Sequence, residues 1–163
     1  MNPGNDAAKT TGSLLVLEQF LPYRLSILSN TVSNAIAREY RDLFGLSIPE
    51  WRMMAVLGRF GSLSASGVCG RTAMDKVTVS RAATRLIEQK LIKRETDSND
   101  RRRSILKLTA RGAHTHQKIV PIAHGRESEL AAVLTEKERR SLDTLLAKLQ
   151  QRASEIAAQE SIA

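Results

Sequence analysis

Residues 75–108 read DKVTVSRAATRLIEQKLIKRETDSNDRRRSILKL, and this stretch decides the fold. From Asp75 to Lys90, Val79, Ala83, Leu86 and Ile87 fall on one apolar stripe of a helix. Asp75 suits the N-cap, where its carboxylate accepts a backbone N–H that has no partner inside the helix. The other face carries Lys76, Thr78, Ser80, Arg81, Thr84 and Arg85. These are donors and cations of the kind that reach base edges and phosphates. Thr78 and Ser80 also have a local reading, as hydroxyls that cap their own helix. Two short strands, Leu91–Thr96 and Ser104–Leu108, then flank a charged tip that holds Asp100, Arg101, Arg102 and Arg103. A basic helix beside an arginine-tipped hairpin supplies the parts of a winged helix-turn-helix. The helix suits a major groove and the hairpin an adjacent minor groove.

The charge of the whole chain points the same way. Net charge is +8 over 163 residues, yet residues 71–111 alone hold twelve Lys/Arg against five Asp/Glu, a local excess of seven. A charge that served solubility would be spread over the surface; this one gathers on the reading element and favours a polyanionic partner, double-stranded DNA. With 26% charged and 42% hydrophobic residues the composition is that of a globular domain and excludes a disordered chain. No apolar run reaches the length of about 18 residues that a membrane span needs. The N-terminus lacks a signal-peptide pattern, and a single cysteine, Cys69, makes no internal disulfide, so a cytoplasmic protein is expected.

Outward from the central stretch, the chain reads as helices. Residues 1 to about 13 have no periodicity and suggest a flexible tail. From about Glu18 to Phe44, Leu21, Leu25, Leu28, Val32, Ile36 and Tyr40 recur at helical spacing, with Pro22 tolerated only near the first turn and Gly45 as a stop. Ser47-Ile-Pro-Glu50 reads as a capping box that opens a second helix through Trp51, Met54, Ala55 and Leu57 to Gly61. A short third helix runs from Ser64 to about Thr72, although Gly67 and Gly70 weaken it. After the hairpin, Thr109 to Gly112 caps a fifth helix that extends to about Leu134, which Pro121 should kink. Thr135 and Glu138 form a second capping box, and Leu142, Leu145, Leu146 and Leu149 mark a sixth helix to about Ala157.

The predicted fold class is therefore mostly α with a small β-hairpin wing, a winged helix-turn-helix flanked by N- and C-terminal dimerisation helices. The expected divisions are a tail at 1–17, a helical dimerisation region at 18–45 and 109–163, and the DNA-binding domain at 46–108. The terminal helices carry more apolar residues than a winged helix can cover, so a homodimer is expected. Its two recognition helices would lie about one DNA turn, roughly 34 Å, apart on a pseudo-palindrome.

Thr78-Val-Ser-Arg81, Arg85-Leu86, Leu91-Ile-Lys-Arg94, the wing 97–103 and the run from Leu106 to Gly112 resemble the MarR family of bacterial transcription regulators. The element order matches as well, from about residue 18 onward. The resemblance implies an obligate, triangular dimer that represses by binding a short inverted repeat. It implies that Asp100 orients Arg102, which enters the minor groove. It also implies a small-molecule effector, often an aromatic carboxylate or its thioester, bound between the first, second and fifth helices. Some members instead sense oxidants through a cysteine in the first helix, where this chain has none, or bind metal.

For such an effector, Arg24, Ser29, Asn30 and Arg52 are polar groups beside apolar stripes that can fix a carboxylate, with Trp51 and His116 as wall residues. Trp51 has a plain alternative as core packing. Cys69 reads as a small buried hydrophobe, with only Arg71 nearby to lower its pKa. His114, His116 and His124 offer no pair four residues apart, so no metal site is expected. No nucleophile-elbow or phosphate-loop motif appears, and neither catalysis nor a cofactor is expected. The expected function is a ligand-released, sequence-specific repressor. The alternatives are an architectural DNA binder without sequence preference and a protein-binding winged helix.

Overall fold

The computed structural model describes residues 15–97, 100 and 102–160. In chain order they form α1 (Leu21–Phe44), α2 (Ile48–Phe60), β1 (Leu63–Ser64), α3 (Ala65–Thr72), α4 (Lys76–Glu88), β2 (Ile92–Thr96), β3 (Ser104–Leu108), α5 (Ala110–Ala131) and α6 (Glu136–Glu160). The chain divides into two compact units, one ending at Ile48 and the other starting at Pro49. Among the described residues no helix is long and apolar enough to cross a membrane. The fold is mostly helical with a small antiparallel sheet, as expected. Residues 1–14 of the tail assigned to 1–17 lie outside the described residues.

The first unit is built on α1. It starts at Leu21 and not at Glu18, because the preceding residues close a turn in which the Phe20 N–H reaches the carbonyls of Val16 and Leu17. Pro22 sits in the first turn, where its missing N–H costs nothing. Gly45, at φ 66°, ends the helix by donating its N–H to the Arg41 carbonyl at 2.9 Å.

In the second unit, α3 and α4 form the helix-turn-helix. Ser64 caps α3 by accepting the Gly67 N–H at 3.1 Å, which offsets the low helix propensity of the two glycines. Ala73 turns the chain in the left-handed region at φ 54°. Asp75 then caps α4, accepting the Thr78 N–H at 2.7 Å. The buried stripe of α4 is Val79, Ala82, Ala83 and Leu86, the i, i+3, i+4, i+7 set of one helical face. Ile87, expected in that stripe, is 36% exposed, and Ala82 takes its place. One position beyond i+7, Ile87 lies at the shoulder of the face and not on it.

The sheet holds one strand more than the sequence suggested. β3 pairs antiparallel with β2 on one side and with the two-residue β1 on the other, in the order β1-β3-β2. Leu106 faces Arg94 across one ladder and Leu63 across the other. Met53, Met54, Leu57, Val68, Leu91, Ile92, Leu106 and Ile119 complete the core of this unit.

Two close approaches seat α5. The Thr109 hydroxyl donates to the carbonyls of Lys90 at 2.7 Å and Leu91 at 3.2 Å, and accepts the Gly112 N–H at 3.0 Å to cap the helix. Gly112 lies so near the Leu91 carbonyl that a Cβ there would overlap it. Pro121 lies inside α5 without ending it. The Thr135 hydroxyl accepts the Glu138 N–H at 3.3 Å while the Glu138 carboxylate accepts the Thr135 N–H at 2.8 Å. This is the reciprocal box expected at the start of α6. Helix α5 stops three residues earlier than expected, and α6 continues three residues further, to Glu160.

Candidate nucleic-acid interface

The face of α4 opposite its buried stripe is open to solvent. Lys76, Ser80, Arg81, Thr84 and Arg85 are exposed and Thr78 is half-buried. Two hydroxyls are already engaged. Thr78 Oγ1 donates to Asp75 Oδ2 at 2.7 Å, and Thr84 Oγ1 to the Ser80 carbonyl at 3.1 Å. Thr78 thus takes the local, capping role that its position allowed. Thr78, with its backbone N–H first, also holds the Asp75 carboxyl below the usual carboxylate range. Along α4 the free cations are Lys76, Arg81 and Arg85, none of which has an ion-pair partner among the described residues.

The wing carries Asp100, Arg102 and Arg103 at exposed positions; Arg101 lies outside the described residues. Asp100 Oδ1 accepts the backbone N–H of Arg102 at 3.0 Å, and the Asp100 carbonyl accepts the N–H of Arg103 at 2.8 Å. The resemblance implies that Asp100 orients Arg102. The contact seen is with the Arg102 main chain, where the carboxylate fixes the turn that carries this residue, as in an Asx turn. Asp97 closes the neck of the wing, donating its N–H to the Arg103 carbonyl at 2.9 Å.

On the wing strands, charges separate by face. Glu95 accepts from Lys93 at 2.7 Å and from Lys107 at 2.5 Å, and these lysines, Lys107 first, hold its carboxyl below the usual range. Arg94, one residue off in register, turns to the face of buried Leu106. There it lines a recess of about 210 Å³ with Ser66, Cys69, Lys76 and Ser80. The sequence reading missed Arg94 and Ser66. The alternation Lys93, Arg94, Glu95 was a legible signal, since odd and even positions of a strand face opposite ways. A further missed cluster is Phe60, which has the Arg71 guanidinium 3.9 Å and the Arg59 guanidinium 5.5 Å from its ring centre.

Of the residues assigned to an effector pocket, the structure brings Trp51 and His116 together, their rings stacked with centroids 6.0 Å apart and planes 27° apart. The His116 ring lies so close to Gly58 that a Cβ there would meet it. Partial burial strips water from His116 and lowers its pKa below 6.5, so the ring is neutral near pH 7. Arg52 is half-buried. Arg24, Ser29 and Asn30 are exposed on α1, and at about 100° per residue they spread around that helix without sharing one face. His124 pairs with Glu127 at 3.3 Å on the surface. Among the described residues no three His, Cys, Asp or Glu side chains gather to hold a metal.

Comparison with known proteins places this geometry. A family model described as the MarR family matches residues 44–103, which run from the end of α1 to the start of β3. The HTH-type transcriptional regulator FarR of Neisseria gonorrhoeae is 29% identical over 118 residues, covering 71% of this chain and 81% of that protein. The HTH-type transcriptional regulator BilQ of Clostridium symbiosum is 27% identical over 105 residues, 64% of this chain and 73% of that protein. The crystal structure of a MarR/EmrR family transcriptional regulator from Acinetobacter sp. ADP1 superposes with a TM-score of 0.80 at 27% identity, covering 85% of this chain and 98% of that one.

Proposed function

The chain belongs to the MarR family, and from that premise we propose that it acts as a homodimeric repressor that binds a pseudo-palindromic operator and is released by a small aromatic acid or its thioester. Its transcriptional-regulator family and DNA-binding winged helix are the starting point. The observation that carries the DNA reading is the row of free cations on one face of α4 beside a wing whose turn presents Arg102. In the proposed complex, α4 enters the major groove, where Arg81 and Arg85 reach base edges or phosphates and Lys76 and Ser80 hold the backbone. Thr84 contributes only as an acceptor while its hydroxyl bonds to Ser80. The wing lays Arg102 in the neighbouring minor groove, where a narrow groove concentrates negative potential. Arg101 and Arg103 then act as flanking phosphate contacts, so affinity falls steeply with salt.

Release works by population shift. An effector that binds the form whose recognition helices misfit the operator draws the dimer into that form, by as much as its affinities for the two forms differ. The Trp51–His116 stack supports an aromatic effector, since a flat ring packs against a flat wall and a neutral imidazole can donate to a carboxylate.

The test is fluorescence anisotropy of a duplex from the gene's own upstream region against a shuffled duplex, near physiological salt. A preference of about a thousandfold supports a specific regulator, and Arg102→Ala should remove most of it. Equal binding to both duplexes would favour an architectural protein, and no binding at low salt would leave a protein-binding module. Aromatic acids and thioesters should then displace the duplex from the wild type but not from Trp51→Ala.

A further inference from the structure

We infer that Arg94 is a phosphate anchor between recognition helix and wing, and that Glu95 sets which wing cations meet DNA by holding Lys93 and Lys107 to itself. The inference rests on the DNA-binding reading above. The pleat of β2 carries the argument. Residues 93 and 95 face one way and residue 94 the other, and the register sets Lys107 opposite Lys93 and Leu106 opposite Arg94. On the outer face, the two Glu95 oxygens each accept from one lysine. Three charges there collapse to a single positive one, and both ammonium groups are turned inward on a carboxylate. On the inner face Arg94 has neither ion pair nor hydrogen bond among the described residues.

Its surroundings suit a phosphate. The recess of about 210 Å³ that Arg94 lines has Lys76 and Ser80 from α4 and Ser66 from α3 on its other walls. Two cations and two hydroxyls from three separate elements line it beside the apolar side chains of Ala65, Val79, Ala83 and Leu106, with the Ser66 hydroxyl sharing a hydrogen bond with Ser64 Oγ at 3.0 Å, and no carboxylate is among the lining residues. A backbone phosphate between the groove taken by α4 and the groove taken by the wing is the anion this fork-and-hydroxyl set fits. The guanidinium, held on a strand, also ties the angle of the wing to that of α4, because one phosphate bonds to both.

The experiment measures the salt dependence of binding to a mixed-sequence duplex by the full-length protein, for the wild type and Arg94→Gln, Arg94→Lys, Lys93→Ala, Lys107→Ala and Glu95→Gln. Arg94→Gln should weaken binding about tenfold and lower the log–log salt slope by about one. Arg94→Lys should keep the slope, which separates lost charge from a damaged fold, and circular dichroism melts of each variant check the same point. Lys93→Ala and Lys107→Ala should leave the slope unchanged, whereas Glu95→Gln frees both lysines and should steepen it. An unchanged slope in Arg94→Gln, or an equal loss in Lys93→Ala, overturns the assignment of Arg94, and an unchanged slope in Glu95→Gln overturns that of Glu95. If the wild type binds no duplex at low salt, the DNA reading itself has failed, and this inference with it.

Discussion

Ala73 and His116 show how single residues set the limits of this fold. Ala73 holds φ 54° at the turn between α3 and α4, a left-handed conformation in which a Cβ crowds the following carbonyl. Glycine takes the same angles without that contact, at some cost in a more flexible unfolded chain. Ala73→Gly is therefore expected to stabilise the protein by up to about 1 kcal/mol, read as a higher urea midpoint at unchanged slope. His116 limits the pH range instead. Its folded pKa lies below 6.5 because burial disfavours the charged ring, so between the two values the unfolded chain binds more protons. The contribution of the neutral ring is fully present above pH 6.5 and is lost as pH falls through the folded value. A stability profile from pH 7.5 to 5 should fall for the wild type and flatten in His116→Phe, which keeps a ring against Trp51. Equal slopes in both proteins would show that another group sets the decline.

At the level of elements, most of the fold was legible because its signals are local. Caps at Ser64, Asp75, Thr109 and Thr135 each lie within three residues of the group they satisfy, so sequence spacing alone announces them. What was not legible depends on distant partners. Strand β1 is two residues long and exists only because β3 lies beside it, and no periodicity shows in two residues. The recess of Arg94 joins α3, α4 and β2 and has no sequence spacing at all. That Asp100 bonds to the Arg102 main chain depends on the geometry of the turn, which the sequence does not spell out. Gly112 was read only as part of a cap, yet its lack of a Cβ is what lets α5 approach the Leu91 carbonyl. Since the obstacle is backbone and not a flexible side-chain tip, Gly112→Ala should cost about 1–3 kcal/mol by pushing α5 off the end of β2. Chemical denaturation checks this, because helix propensity alone would make Gly112→Ala stabilising by about 1 kcal/mol, so a net loss reports the contact. A net gain in stability would mean the contact is readily relaxed.

For the whole molecule, the question is what covers the apolar rows left open on the terminal helices. Leu142, Leu145, Leu146 and Leu149 on α6 are 43%, 56%, 45% and 40% exposed, at the i, i+3, i+4, i+7 spacing of one continuous stripe. On α1, Leu21, Leu25 and Leu28 are exposed too, at 45%, 39% and 58%. Isolated apolar side chains on a surface call for no explanation, but contiguous rows mark an interface. On the proposed function the occupant is a second copy of the chain, since a single α4 would read only a half-site and two-fold symmetry would supply the other. Leu145→Asp combined with Leu149→Asp places two charges in the stripe, and burying either unpaired would cost far more than the apolar contact returns. Sedimentation velocity at micromolar protein should show a dimer for the wild type and a monomer for the double variant, with the helical signal in circular dichroism retained. Affinity for a two-half-site operator should then drop by at least about a hundredfold, the advantage of linking two binding events, while affinity for an isolated half-site stays unchanged. A monomeric wild type that still binds the full operator tightly would remove the two-fold argument. Operator symmetry would then have to be read by α4 and the wing of one chain.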